Sequence, residues 1–378
     1  MSSHPKSPIQ NPKSERVMFA GGGTGGHLYL GIALARELER RDPARDFVFV
    51  GTRRGLEARI VPQEGFRVEF IVSAGLKRVG AVTAVRNFLL IPSSLLQSRR
   101  LIRSYSPAAV VGVGGYSSGP VVLAAWWLGK PTLIVEPNAY PGLANRLLAP
   151  VVNRVALALP EAVRFFGKKA AVTGIPVRAE FQEMPRRQHR AGQLSLLIYG
   201  GSQGSRPLNR IVCADLAELR NLSPGLRLTH QTGERELEPV RSAYRDAGVE
   251  GEVKAFFPHI YRQFAEADLI LSRAGASTVA EVTASGKAAL LVPFRGAADD
   301  HQTRNARALQ ERGAARLIPE IEWKPGRLAA ELRHYLDHPE EIEKMEEGAR
   351  RLARPEATRR ISDLIEELAR GGGRKESR

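Results

Sequence analysis

Short apolar runs recur along the chain at residues 17–20, 47–50, 68–71, 108–113, 132–135, 194–199, 226–231, 251–256, 268–272 and 288–292. Most are continuously apolar rather than alternating, and most are flanked by stretches with helical spacing. That is the pattern of parallel strands buried on both faces. Leu30, Leu34 and Leu38 recur at i, i+4 and i+8 and mark one face of a helix after the first run. Four times the order is apolar run, glycine-bearing turn, helix: GGGTGGH at 21–27, GGYSSGP at 114–120, GGSQGS at 200–205 and RAGAST at 273–278, two in each half. This order predicts an α/β chain of two doubly wound domains, with ligand sites at the carboxyl ends of the strands. The boundary is expected within 173–193, which is polar, carries two prolines and has weak periodicity. The chain from Pro339 reads as charged helix, and GGGRKESR as a frayed end. The opening polar, Pro/Ser-rich segment, residues 1–14, reads as a disordered tail.

Composition narrows the partners. The 378 residues are 43% hydrophobic and 25% charged, ordinary for a soluble globular protein of about two domains. The formal charge of +16 draws the surface towards something anionic: nucleic acid, acidic lipid or a phosphorylated substrate. No aromatic-rich basic motif of the RNA-binding kind is present, which disfavours nucleic acid. The lone Cys213 excludes an internal disulfide and fits a reducing compartment. The amino-terminal segment lacks the apolar core of a signal peptide, and no apolar run reaches bilayer-spanning length.

The glycine turns carry the candidate chemistry. Strand, GGGTGGH and helix together point backbone N–H groups at an anion or polar ligand, with His27 on the first helical turn and able to titrate near neutral pH; a tight turn with a surface histidine is the plainer alternative. Gly21, Gly23 and Gly26 also fit G-x-G-x-x-G, and Arg53 and Arg54 after the second run would suit a 2′-phosphate, so an NADP oxidoreductase stays open. That reading leaves the glycine turn at 114 and a second domain of the same build unexplained. GGYSSGP brings Tyr116 and two serines beside the first turn if the first and fourth runs pair. It then suits a sugar or pyrophosphate; otherwise it is a turn with an N-cap serine. GGSQG offers Ser202 and the N–H groups behind it to a diphosphate. RAGASTVAE combines Arg273 at a strand end with Glu281 two turns into a helix, where a carboxylate can accept both hydroxyls of a ribose; a solvated glutamate is the commoner fate. DDHQTRNA gathers Asp299, Asp300, His301, Gln302 and Asn305. A metal reading lacks a second ligand cluster, and no D-x-D occurs in the chain, which favours polar contacts to sugar hydroxyls. In 75–103, Val82, Val85, Phe88 and Leu89 form an apolar face rimmed by Lys77, Arg78, Arg86, Arg99, Arg100 and Arg103. It reads either as a patch lying on an anionic membrane or as a core-facing helix with a solvated basic side.

Together GGGTGGH, GGYSSGP, VEPNAYPGLANR, TGIPVR, GGSQGS, SRAGASTVAE and DDHQTRNA occur in the order and spacing of the MurG family. The resemblance runs from about Val17 to Arg370. It implies the GT-B fold, two Rossmann-like domains facing a cleft: 15–177 for acceptor and membrane, with a last helix (358–371) crossing back onto it, and 178–357 for the donor. It implies inverting transfer of N-acetylglucosamine from UDP-N-acetylglucosamine to the 4-hydroxyl of lipid I, forming lipid II in peptidoglycan synthesis. No cofactor and no metal are implied. The place is the cytoplasmic face of the bacterial inner membrane, held peripherally at an anionic surface, with contact to other wall-synthesis proteins left open. By residue, the resemblance makes His27 the candidate general base. On the donor side it gives Arg178, Gly201, Ser202, Gln203, Gly204 and Arg273 for the diphosphate, Glu281 for the ribose, backbone near Phe257 for the uracil, and Ala276, Ser277, Thr278 and Gln302 for the amino sugar; Thr24, Gly25 and Gly26 of the first turn join them. Gly114, Gly115, Tyr116, Glu136 and Asn138 fall on the acceptor side, and the 77–103 stretch becomes the membrane patch. Pro137 stands where the family usually has Gln, Leu30 where it often has Pro, and His301 where relatives can carry Gln. A UDP-N-acetylglucosamine 2-epimerase, with the same fold and donor, is the alternative, and has no use for the basic apolar patch.

Overall fold

The computed structural model describes residues 16–22, 25–73, 87, 89–201, 203–294, 296 and 298–372. The expected tail at 1–14, Thr24, Ser202 and the patch residues Lys77, Arg78, Val82, Val85, Arg86 and Phe88 lie outside them. The apolar runs form two parallel sheets. The first joins β1 (Val17–Gly21), β2 (Phe47–Gly51), β3 (Arg67–Phe70), β4 (Ala109–Gly114), β5 (Thr132–Glu136), β6 (Arg154–Leu157) and β7 (Ala170–Val172) in the order β3-β2-β1-β4-β5-β6-β7. The second joins β8 (Leu194–Tyr199), β9 (Leu226–Gln231), β10 (Glu252–Lys254), β11 (Leu269–Ser272), β12 (Ala288–Leu291) and β13 (Arg316–Leu317) as β10-β9-β8-β11-β12-β13. The winding reverses between β1 and β4 in one sheet and between β8 and β11 in the other. These are the switch points where a doubly wound sheet leaves a crevice at its carboxyl edge. All four glycine turns follow these four strands.

Every residue of β1, β2 and β5 is buried, which is why these strands read as apolar runs rather than alternation. Helix Gly25–Arg41 lays Leu28, Leu30, Leu34 and Leu38 on one face of the first sheet. Each such side chain contributes about 1.5–3 kcal/mol when fully buried. The strands that the apolar pattern does not announce are β6, β7 and β13. Two of these are sheet edges of only two or three residues.

The charged carboxyl-terminal stretch folds as two helices, Pro339–Leu352 and Ala357–Gly372. Pro355 separates them, since proline lacks the N–H that would continue the first. The second helix leaves its own half of the chain. Ile361, Ile365 and Ala369 enter the core formed by Leu34, Leu38 and Val111 of the first sheet, and Arg41 and Arg45 reach Asp363 at 2.7 Å and Glu366 at 3.1 Å. Where it crosses, it meets the outgoing connection: a Cβ at Gly174 would lie 2.5 Å from that of Arg354.

The connection is anchored to the second sheet by a buried histidine. His189 Nδ1 lies 3.2 Å from Asp268 Oδ1 and Nε2 lies 3.3 Å from Glu346 Oε1. Arg187 Nε donates to the same Asp268 oxygen at 2.9 Å. Burial alone would lower the pKa of His189, but the two carboxylates outweigh it and hold it at about 9, above its ordinary 6.5. A raised histidine stabilises the fold fully below 6.5, and that contribution is lost as pH rises through about 9. His189→Gln is therefore expected to remove the part of the thermal stability that native protein loses between pH 6.5 and 9. Melting curves of both proteins across that range check it; parallel pH profiles would show that the pair contributes nothing.

Candidate active site

The first two glycine turns interlock. Gly22 N donates to Gly114 O at 3.2 Å, and a Cβ on Gly115, at φ +82°, would lie 2.3 Å from Gly22 O. Gly114, at φ +101°, faces His27; a Cβ there would stand 2.7 Å from its Cδ2. Only glycine tolerates both the positive φ and the contact. The imidazole is half-buried at the start of helix Gly25–Arg41. Burial lowers its pKa most, His301 from the second domain lowers it further, and a hydrogen bond to the Gly22 backbone opposes both. His27 is thus held neutral, the state a proton acceptor needs.

Directly across stands the helix Ala276–Ser285 of the second domain. A Cβ on Gly26 would come within 2.8 Å of Ser277 Oγ. The amino termini of two helices therefore converge on one cleft, and each presents free N–H groups and the positive end of its dipole. Ala276 and Ser277 are accessible there, and Thr278 is buried.

Glu281 lies deeper on the same helix. Burial pushes its carboxyl up to about 7, against Arg178 and a hydrogen bond from Tyr199, which pull it down. Its Oε2 is buried without a hydrogen-bond partner. Such an oxygen carries a desolvation cost that a ligand hydroxyl would relieve. Arg178 is exposed, with its guanidinium carbon 5.2 Å from the Phe181 ring centre and 5.7 Å from that of Tyr261. In the third glycine turn, Gly204 N donates to Gly201 O at 2.9 Å. Gln231, at the carboxyl end of β9, ties this turn to the next segment: its Nε2 donates to Gly201 O at 2.9 Å and its Oε1 accepts from Phe257 N at 2.9 Å. Gln203 is exposed on the same turn. Gln302 Oε1 accepts from Phe294 N at 2.9 Å.

Several expectations change in detail. Glu136 is turned into its own loop. It is 1% exposed, and it accepts from Asn138 N and Nδ2 at 2.9 and 3.0 Å and from Gly142 N and Asn145 Nδ2 at 3.0 and 2.8 Å. Burial raises its pKa against these four donors. Glu136 thus holds the loop after β5 together. Asn138 spends its amide on Glu136 and on Asn305 Nδ2, which donates to its Oδ1 at 3.1 Å. Arg273 is buried, with Nε on Ser205 Oγ at 2.9 Å and Nη1 on Val292 O and Glu320 at 3.0 and 2.8 Å; it fastens strand ends together behind the third turn. The Phe257 N–H is taken by Gln231, so only its carbonyl is left for a base. Tyr116 is 61% exposed at the rim of the first domain. Of the apolar face Val82, Val85, Phe88 and Leu89, Leu89 falls among the described residues, and it is 70% exposed.

Sequence reasoning missed Asn305 as a strut. It is fully buried, its Oδ1 accepts from Ala139 N at 2.9 Å, and its Nδ2 donates to Ala274 O at 3.1 Å, so one amide joins both domains. Arg146 and Asp299 pair across the same junction at 3.3 Å, with Asp299 and Asp300 both at positive φ, 52° and 53°. Beside it, Pro137, Ile175, Val177 and Val279 line a cavity of about 30 Å³, room for one water. Gln231 was also missed; a polar residue closing an apolar strand at the carboxyl edge of a sheet was its signal.

Comparison with known proteins agrees with this architecture. Residues 17–157 match the glycosyltransferase family 28 N-terminal domain and residues 195–367 its C-terminal domain. A UDP-N-acetylglucosamine–N-acetylmuramyl-(pentapeptide) pyrophosphoryl-undecaprenol N-acetylglucosamine transferase from Anaeromyxobacter dehalogenans is 48% identical over 94% of this chain and 93% of its own. The protein of the same description from Myxococcus xanthus is 43% identical over 93% of each. The crystal structure of Acinetobacter baumannii MurG superposes with a TM-score of 0.77 at 32% identity, over 93% of this chain and 99% of that one. A putative UDP-N-acetylglucosamine 2-epimerase from Listeria monocytogenes shares the fold alone, at 14% identity and a TM-score of 0.63 over 94% of this chain and 96% of that one. By family models over both halves and by near full-length identity to its relatives, the chain belongs to the MurG family of glycosyltransferases.

Proposed function

We propose that the chain transfers N-acetylglucosamine from UDP-N-acetylglucosamine to lipid I and so makes lipid II. The observation that carries the chemistry is His27, held neutral beside Gly22 and Gly114 on the turn where its neighbour Gly26 meets Ser277 of helix Ala276–Ser285. The 4-hydroxyl of the acceptor sugar attacks C1 opposite the nucleotide in one displacement, inverting that centre. The new C1–O bond forms as the C1–O bond to the diphosphate breaks. The hydroxyl proton passes to a ring nitrogen of His27, and UDP leaves with the bonding electrons. The converging helix termini, Arg178 and the turn at Gly201–Gly204 oppose the charge that grows on the diphosphate. Glu281 takes the ribose hydroxyls. No step calls for a metal. In this reading residues 15–177, with helix 358–371 on them, take the acceptor, and 178–357 take the donor.

Incubation with UDP-N-acetylglucosamine in EDTA, with and without a short-chain lipid I analogue, tests the reading. UDP release that requires the acceptor, together with a β-linked disaccharide, is expected. UDP release without acceptor, accompanied by a 2-epimerised sugar, would replace it with the epimerase.

No described helix is long and apolar enough to cross a membrane. The acceptor is lipid-linked, and we place the chain peripherally on an anionic surface at the cytoplasmic face of the inner membrane. Leu89, Leu96, Trp126 and Trp127 are 70, 57, 49 and 70% exposed, and Arg99 lies 5.8 Å from the Trp127 ring centre. Apolar wedge and basic rim together suit acidic headgroups. The double variant Trp126→Ser/Trp127→Ser should bind phosphatidylglycerol vesicles several-fold more weakly in sedimentation while turning over a soluble acceptor normally. Unchanged sedimentation would remove this face from the membrane role.

A further inference from the structure

Packed against the first glycine turn lies a carboxyl group that the reaction itself does not use. Glu57 opens the short helix Glu57–Gln63 and is 1% exposed. A first-turn glutamate commonly lies in solvent near the helix dipole; this one turns inward. Its Oε1 accepts from Thr52 N at 2.7 Å and from Thr52 Oγ1 at 3.1 Å. Two segments make room for it, the first glycine turn and the stretch 51–55 that leads into its own helix. A Cβ on Gly22 would lie 2.5 Å from its carboxyl carbon, one on Gly51 2.2 Å from its Cγ, and one on Gly55 2.1 Å from its Oε2. A close-packed interior leaves such a cradle only where the group inside it is fixed, and a buried carboxyl group is retained only with its hydrogen bonds met.

Gly22 is therefore gripped from two sides. Glu57 packs against its Cα, while its N–H goes to Gly114 O and its carbonyl is crowded by Gly115. That same residue's backbone receives the hydrogen bond from the His27 ring. A neutral ring that donates through one nitrogen is held in one tautomer, with the lone pair on the other. We propose that Glu57 is a positioning residue for the transfer reaction: by fixing the Gly22 turn it sets the tautomer and aim of His27. His301 is the titratable group facing His27 from the second domain, and Glu57 packs against the turn in the first. The proposal rests on the reading of His27 as the general base.

The test reads the ring directly. In native protein the His27 side-chain 15N shifts should report a single neutral tautomer. Glu57→Ala should move them towards the average of the two tautomers and lower kcat about tenfold or more, the cost of a misaimed group. UDP affinity should stay within twofold. Glu57→Gln, which keeps an oxygen for the Thr52 N–H, should restore most of kcat. If Glu57→Ala does not fold, Thr52→Val, which removes only the hydroxyl donor, should shift the ring signals in the same direction by less. Unchanged ring shifts and kcat in a folded Glu57→Ala protein, or a mixed tautomer in native protein, would overturn the proposal. Undiminished turnover in His27→Ala would remove the base assignment instead, and the ring shifts would still decide whether Glu57 positions the imidazole.

Discussion

His27→Ala is expected to lower kcat by about 10²–10³-fold, the range a positioned general base supplies, while UDP affinity changes less than twofold. The separation follows from where the ring sits. It lies in the first domain against Gly114 and Gly22, whereas Glu281 and the Gly201–Gly204 turn belong to the second. The pH dependence should agree. Burial and His301 lower the pKa of His27, so the neutral form persists to more acid pH than for an exposed histidine. At saturating donor, the acid limb of kcat should fall below the ordinary 6.5. Steady-state turnover across pH, with UDP binding by calorimetry on both proteins, measures this. Equal loss of turnover and of UDP affinity would remove His27 from the base role.

The parts of this molecule that were legible in sequence are those where one physical demand fixes the residue type. Parallel strands buried on both faces must be apolar throughout, so β1, β2, β5 and β8 were visible as runs. β7 and β13, of three and two residues, were not, nor was the interior β6. Turns that touch another backbone must be glycine, so the interlock at 22 and 114–115 was announced by glycine density, although its partner was not. Side chains at the cleft were harder. Glu136 and Asn138 have the chemistry of ligand contacts and stand at the carboxyl end of a strand, and they hydrogen-bond to each other, to Gly142 and Asn145, and to Asn305. Arg273 likewise turns inward to Ser205 and Glu320. Nothing local in the sequence says which way such a side chain points; the packing of the neighbouring segment decides. Glu57 and Asn305 lie far in sequence from the residues they hold, so no spacing reveals them.

Glu281→Ala should weaken UDP binding about ten- to a hundredfold, and do so in a pH-dependent way. Hydrogen bonds to a charged acceptor contribute about 1.5–3 kcal/mol, and 1.4 kcal/mol is tenfold in affinity. In the free protein the carboxyl is pushed up to about 7 by burial, with Arg178 and Tyr199 opposing, and Oε2 has no hydrogen-bond partner. The ionised form accepts two hydroxyls; the protonated form gives up one acceptor site to its own proton. Native UDP affinity should therefore fall as pH drops through about 7, and binding should release protons, since the bound hydroxyls stabilise the carboxylate. Glu281→Gln, neutral at every pH, should bind UDP with intermediate affinity and lose both the pH step and the proton release. Calorimetry in buffers of different ionisation enthalpy reads the two together. Native binding that is flat from pH 6 to 8, with no proton released, would mean that the ribose meets some other group and that the unpaired oxygen of Glu281 serves the fold alone.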